Sequence, residues 1–158
     1  MLIGEIARLN AARYGNKIAF KDEKREIGFD PANRRMNAFI RALYKLGLKK
    51  GDRVAVLLYN RAEYGELLYG LPKGGFVIVP MNYRLVGREL KYILNHSEAS
   101  AVIYEREFND TLNEIRSELD NVQHYILMDP LTGSKSEGLC YEKMIENQST
   151  GEVSVKVD

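Results

Sequence analysis

Two hydrophobic periods alternate along this chain, and the switches between them mark out its elements. Val54 to Tyr59 is an apolar run with the length and β-branched character of a buried strand. Asn60-Arg61-Ala62-Glu63 follows with the Asn-x-x-Glu spacing of a capping box, predicting a helix that runs to about Lys73 and stops at Gly74-Gly75. A second apolar run, Phe76 to Val79, is closed by Pro80. Strand, helix and strand with short joints make a βαβ unit, whose crossover helix implies a parallel, right-handed pair.

The rest of the chain repeats this grammar. Residues 2–14 form a moderately amphipathic helix ended by Gly15, and Lys17–Lys21 and Glu26–Phe29 read as a hairpin around the charged turn Asp22–Arg25. Asp30-Pro31 reads as an N-cap acid with proline at the first helical position. Met36, Phe39, Ile40, Leu43 and Leu46 then form one apolar stripe, with Arg34, Arg35, Arg41 and Lys45 off it as a solvated face and Gly47 at the stop. A helix from about Arg88 to His96 lacks a capping hydroxyl at Val86, leaving Glu89 to favour its start through the macrodipole. Ala101–Tyr104 is a third parallel-type strand, Asn109 or Asp110 caps a helix with Leu112, Ile115 and Leu119 inward, and Val122–Met128 is a fourth strand. Leu131–Gly138 reads as a mobile loop, Tyr141–Glu146 as a short helix, and Gly151–Asp158 as irregular or an incomplete strand. Pro72 predicts a kink or early end of the helix after Asn60. The fold class is α/β: a mostly parallel sheet flanked by helices, with a short N-terminal β-hairpin.

Composition narrows the picture. At 158 residues the chain is about one domain long. Twenty-three basic side chains against 22 acidic ones give no net field to attract nucleic acid or an anionic membrane. No apolar run approaches the ~20 residues of a transmembrane helix, and the first residues lack the pattern of a secretion signal. The single cysteine, Cys140, excludes an internal disulfide and fits a reducing cytoplasm.

Few residues are equipped for chemistry. His96 and His124 have no carboxylate or cysteine at ligand spacing, so no metal site is expected. Cys140 precedes a short helix but has no paired histidine, and reads as an ordinary half-buried thiol. Gly70, Gly74 and Gly75 lack the Gly-Lys-Ser/Thr of a phosphate loop. Asn60 and Asn82 fall at the carboxyl ends of parallel strands, where doubly wound sheets bind ligands. Capping accounts for Asn60, and Asn82 is the candidate to line a crevice.

A family resemblance rests on Gly51-Asp52-Arg53-Val54-Ala55-Val56, Asn60 and Glu63, Lys73-x-Gly75, and Val77-x-Val79-Pro80-Met81-Asn82. Flanking support comes from Leu46-Gly47-Leu48, Arg84-Leu85 and Glu89-Leu90. In order and spacing these resemble the early signature of AMP-forming acyl-CoA synthetases, in the adenylate-forming superfamily that also holds luciferases and peptide-synthetase adenylation domains. The chain departs from that pattern at Gly28-Phe29, Pro72 and Val86. The resemblance implies that residues 1–158 are the N-terminal segment of the large domain of such an enzyme. It implies a carboxylic, fatty acid activated with ATP and Mg2+ and transferred to coenzyme A. The phosphate loop, the later acidic and arginine motifs and the C-terminal lysine are absent from these residues, so no catalytic, cofactor-binding or metal-binding residue is assigned. The segment Glu152–Asp158 resembles the lead-in to that loop. The chain by itself is therefore expected to be inactive, to bind none of these cofactors tightly, and to self-associate through exposed apolar surface or have a partner cover its sheet edge or crevice. Within the family a luciferase-like or peptide-synthetase adenylation domain is the alternative, and outside it a free-standing α/β binding or regulatory module.

Overall fold

A computed structural model describes residues 2–129 and 138–156. Helix α1 (Ile3–Tyr14) leads into the antiparallel hairpin β1 (Ile18–Lys21) and β2 (Glu26–Gly28), then α2 (Phe29–Lys45). After it come β3 (Arg53–Leu57), α3 (Ala62–Lys73), β4 (Val77–Pro80), α4 (Gly87–His96), β5 (Ala101–Tyr104) and α5 (Asn109–Ile115). The described part closes with β6 (His124–Leu127), β7 (Leu139–Cys140) and α6 (Tyr141–Glu146).

Strands β3 to β7 form one sheet in the order β4-β3-β5-β6-β7, and every neighbouring pair is parallel. The period of two sorts side chains cleanly between its faces. Val54, Val56, Ala101, Ile103 and Ile126 join one core with Phe39, Ile40 and Leu43 of α2, Leu67 and Leu71 of α3, and Ile145 of α6. Ala55, Leu57, Val102, Tyr104 and Leu127 join the opposite core with Leu90 and Leu94 of α4 and Leu112 and Ile115 of α5. The chain steps outward from β3 to β4 and back across β3 to β5. Crossovers of one hand then require α3 and α4 to lie on opposite faces, as they do.

Several local expectations are revised. α2 starts at Phe29 with Gly28 as N-cap, so Asp30 lies in the first turn, paired with Arg34 at 2.9 Å. α3 starts at Ala62, not beside Asn60; its first N–H donates to Asp22 Oδ2 of the hairpin tip at 2.8 Å. Glu89 accepts the Val86 N–H at 3.0 Å, so it satisfies an orphan donor besides complementing the dipole. α5 has no asparagine or aspartate cap, because a 3-10 turn, Arg106–Phe108, leads into it. Pro72 lies in the last turn of α3, which ends one residue later. Gly47, just past α2, has φ of 96°, a left-handed exit that suits glycine.

β7 was not foreseen. It is two residues long, with Ile126↔Leu139 and Leu127↔Cys140 in register, too short for a periodic signal. The residues before it, expected as a loop, lie mostly outside the described ones. Residues 152–156 form no strand.

Candidate functional site

Strands β3 and β5 are neighbours, yet the chain leaves β3 toward one face and β5 toward the other. Such a switch in strand order opens a crevice at the carboxyl ends of the strands. A cleft of about 850 Å³ lies there. Its walls are Tyr59, Asn60 and Arg61 after β3, Glu105 and Glu107 after β5, Asp129 after β6, and the hairpin tip. The tip reaches this position because Phe20 packs against α3 where Gly65 has no side chain; a Cβ there would stand 2.3 Å from the ring.

Arg61 sits at the centre. Its Nε donates to Glu63 Oε2 at 2.8 Å, and its Nη1 reaches Asp129 Oδ2 at 2.7 Å and Glu105 Oε2 at 3.5 Å. Burial alone would lower its pKa, but these carboxylates more than reverse that and keep it charged. Glu63 also accepts from Arg25 Nη1 at 2.7 Å. Its burial disfavours charge, yet Arg61, its own N–H and Arg25 hold its pKa at about 2. Glu105 goes the other way: burial raises its pKa, against the Tyr59 N–H at 2.7 Å.

The network continues inward. Arg25 reaches Glu142 Oε1 at 3.1 Å, Arg35 grips both oxygens of Glu142 at 2.9 and 2.7 Å, and Arg35 Nε donates to Glu66 at 2.6 Å. Glu66 is 1% exposed and also accepts the Tyr141 hydroxyl at 3.0 Å. Burial pushes its carboxyl up, and Arg35 and Tyr141 oppose that.

The cleft does not suit the phosphates of a nucleotide. Four basic residues line it against six acidic ones, and both arginines are committed to carboxylates. The N-terminus of α3, where an anion could sit, is filled by Asp22.

The residues singled out from sequence are dispersed. Asn60 lines the cleft and caps nothing, whereas Asn82 is not among the lining residues and its Oδ1 accepts the Arg84 N–H at 2.9 Å. His96 stacks on Tyr92 at 5.4 Å, and His124 opens β6. Cys140 is buried rather than half-buried. No group of three or more metal-ligating side chains occurs among the described residues. The basic side chains of α2 are only partly a solvated face: Arg34 and Lys45 are exposed, Arg35 belongs to the buried network, and Arg41 binds backbone carbonyls near residue 150. Gly70 lets α3 approach Met36 of α2, and Gly75, at φ of 76°, turns the chain into β4.

The network around Arg61 escaped sequence reasoning because its partners are far apart in the chain. Only the Arg61–Glu63 pair is local; Arg25 and Glu63 are 38 residues apart, and Arg61 and Asp129 are 68. No spacing rule joins them.

Comparison with known proteins places this architecture. Residues 7–155 match the family model described as AMP-binding enzyme. A crotonobetaine/carnitine–CoA ligase of Salmonella heidelberg (strain SL476) is 30% identical over 165 residues, covering 90% of this chain and 31% of the relative. A long-chain-fatty-acid–CoA ligase of Salmonella typhimurium is 38% identical over 118 residues, 74% of this chain and 21% of the relative. Among solved structures, an anthranilate–CoA ligase holding anthranoyl-AMP superposes with a TM-score of 0.92 at 26% identity. That match covers 99% of this chain and 30% of the other. The chain thus spans about a third or less of the ligases it matches. With the family model covering nearly every residue, the chain belongs to the AMP-binding enzyme family.

Proposed function

We propose that this chain is the N-terminal segment of the large domain of a cytoplasmic acid–CoA ligase. That enzyme activates a fatty acid with Mg2+ and ATP to an acyl-adenylate, then transfers the acyl group to coenzyme A. The observation that carries this reading is the family match over residues 7–155. The fatty acid is supported by the 38% identity to a long-chain-fatty-acid–CoA ligase. CoA ligases as relatives favour this reading over a luciferase-like or peptide-synthetase adenylation domain.

The chemistry explains why this segment alone falls short. A carboxylate is a poor electrophile, and converting it to a mixed anhydride with AMP supplies a good leaving group. Charge developing on the phosphates in that step requires preorganised donors and cations. At the cleft both arginines are already committed to carboxylates, so they do not supply that charge, and the segment's part in the reaction is to form one wall of the domain.

The test is pyrophosphate release with Mg2+, ATP and a panel of acids, on the chain alone and on a product extended through the expected phosphate loop and C-terminal lysine. The chain alone should be silent, since loss of even one such donor costs about 10²–10³ in rate. The extended product should turn over, fastest with fatty acids. Turnover by the short chain refutes the fragment reading; an inert extended product favours a binding or regulatory module. Exposed Ile3, Val77, Val86 and Tyr92 should also make the short chain self-associate, visible in sedimentation.

A further inference from the structure

Residues Ser149–Glu152 belong to neither helix nor strand, yet α2 grips every one of them. Arg41 Nη1 donates to the carbonyls of Ser149 at 2.9 Å and Gly151 at 2.6 Å, and its Nη2 to that of Glu152 at 3.2 Å. Asn37 Nδ2 donates to the Thr150 carbonyl at 3.2 Å. The Glu152 carboxylate accepts from Asn33 Nδ2 at 3.0 Å and Asn37 Nδ2 at 3.3 Å, and forms an ion pair with Lys73 Nζ. Lys73, at the end of α3, is only 7% exposed, and its other partner is Asn33 Oδ1 at 2.6 Å. Beyond the grip, Val153 packs on the core beneath α2, and Val155 lies beside Gly75, close to where a Cβ would be.

A buried ammonium with two partners is a costly way merely to tie down a strand of chain. What it adds is register. Sliding the segment by one residue would take Glu152 out of reach, strand the Lys73 charge and mismatch the carbonyls bound by Arg41 and Asn37. Apolar contacts such as those of Val153 tolerate such a slip; this set does not.

We propose that Glu152 and Lys73, with Asn33, Asn37 and Arg41, form a register-specific latch that fixes the path of residues 153–156 across Gly75. They are positioning residues. For its consequence alone this rests on the ligase reading, in which the chain leads from here into the phosphate-binding loop. There an error of about 1 Å in placement can cost 10²-fold in rate.

The latch is tested on the chain itself, with a nitroxide on the S154C variant in a C140A background. Residue 154 is exposed, so the label reports the motion of the segment without entering the core. In the parent the label should be held; in E152A and K73M its rotational correlation time should fall at least about threefold, toward free sub-nanosecond motion. E152D should restore part of the order. E118A, which breaks the exposed Lys91–Glu118 pair on α4, should leave label motion unchanged. Because Lys73 is buried, K73M can fail to fold; E152A, on a part-exposed side chain, decides alone. Equal label motion in E152A and the parent, or equal loosening in E118A, overturns the latch. The label reports this whether or not any acid is activated, so the pyrophosphate assay can fail without touching it.

Discussion

Replacing Glu63 by glutamine isolates the electrostatic contribution of the cleft network. The carboxylate accepts one bond from Arg25 and two from Arg61, at 2.7, 2.8 and 3.2 Å, and is 3% exposed. Its pKa falls from 4.5 to about 2. Each unit is worth about 1.4 kcal/mol, so the native charge contributes about 3 kcal/mol at pH 7. The arginines are not left stranded by the change, since Arg25 keeps Glu142 and Arg61 keeps Asp129. The loss should therefore stay near that figure rather than exceed it, as it would for an abandoned buried ion. The sign follows from the depressed native pKa. The stabilisation is complete above the unfolded value near 4.5 and disappears as pH falls through about 2. Urea unfolding of both proteins, followed by circular dichroism from pH 7 to pH 2, measures the gap directly. It should be about 3 kcal/mol at pH 7 and narrow below about 1 kcal/mol at pH 2. Other carboxylates titrate in the same range but cancel in the difference. A gap that is constant with pH, or absent at pH 7, refutes the reasoning.

Two further substitutions probe how the hairpin is attached. Asp22→Ala removes the acceptor for the first N–H of α3 and for the N–H groups of Lys24 and Arg25. It should cost about 1–2 kcal/mol in urea unfolding, and Asp22→Asn, which keeps an acceptor, should cost less. Gly65→Ala drives a methyl into the Phe20 ring and should cost about 1–3 kcal/mol. In an F20A background the same change should cost almost nothing, a non-additivity that thermal melts will show.

The sheet was legible because each of its principal strands is an apolar run bounded by turn residues, and because Gly47 and Gly74-Gly75 punctuate the helices where pattern alone would let them run on. Helix starts were read less well. Asn60-x-x-Glu63 has the spacing of a capping box, but the cap comes from Asp22, 40 residues earlier. Once that acceptor is supplied, Asn60 is free to face the cleft and Glu63 to bind two arginines. The same tertiary substitution explains Arg35 and Arg41, which have the spacing of a solvated face and are drawn inward by α6 and by residues 149–152. The cleft could be anticipated from strand order but not its charge, since most of its ion pairs join segments that nothing local connects. What remained unread was a matter of partners brought together by the fold, not of periodicity.

The place of β3 in the sheet has a consequence for how the chain is made. It is the first strand of the five to be synthesised, yet it ends inside the sheet, with β4 on one side and β5 on the other. Val54 pairs with Ile78 and with Ala101, so its second edge waits for residues some fifty positions further on. At a translation rate of about 5–20 residues per second, that edge is open for several seconds on a nascent chain. During that interval β3 offers one unpaired edge along Val54, Val56 and Leu57, an apolar run after Arg53, the kind of template on which other chains aggregate. Helix α2, already complete and carrying Phe39, Ile40 and Leu43, can cover one face in the meantime. The early helix thus acts as an internal shield for a strand whose partners are made late.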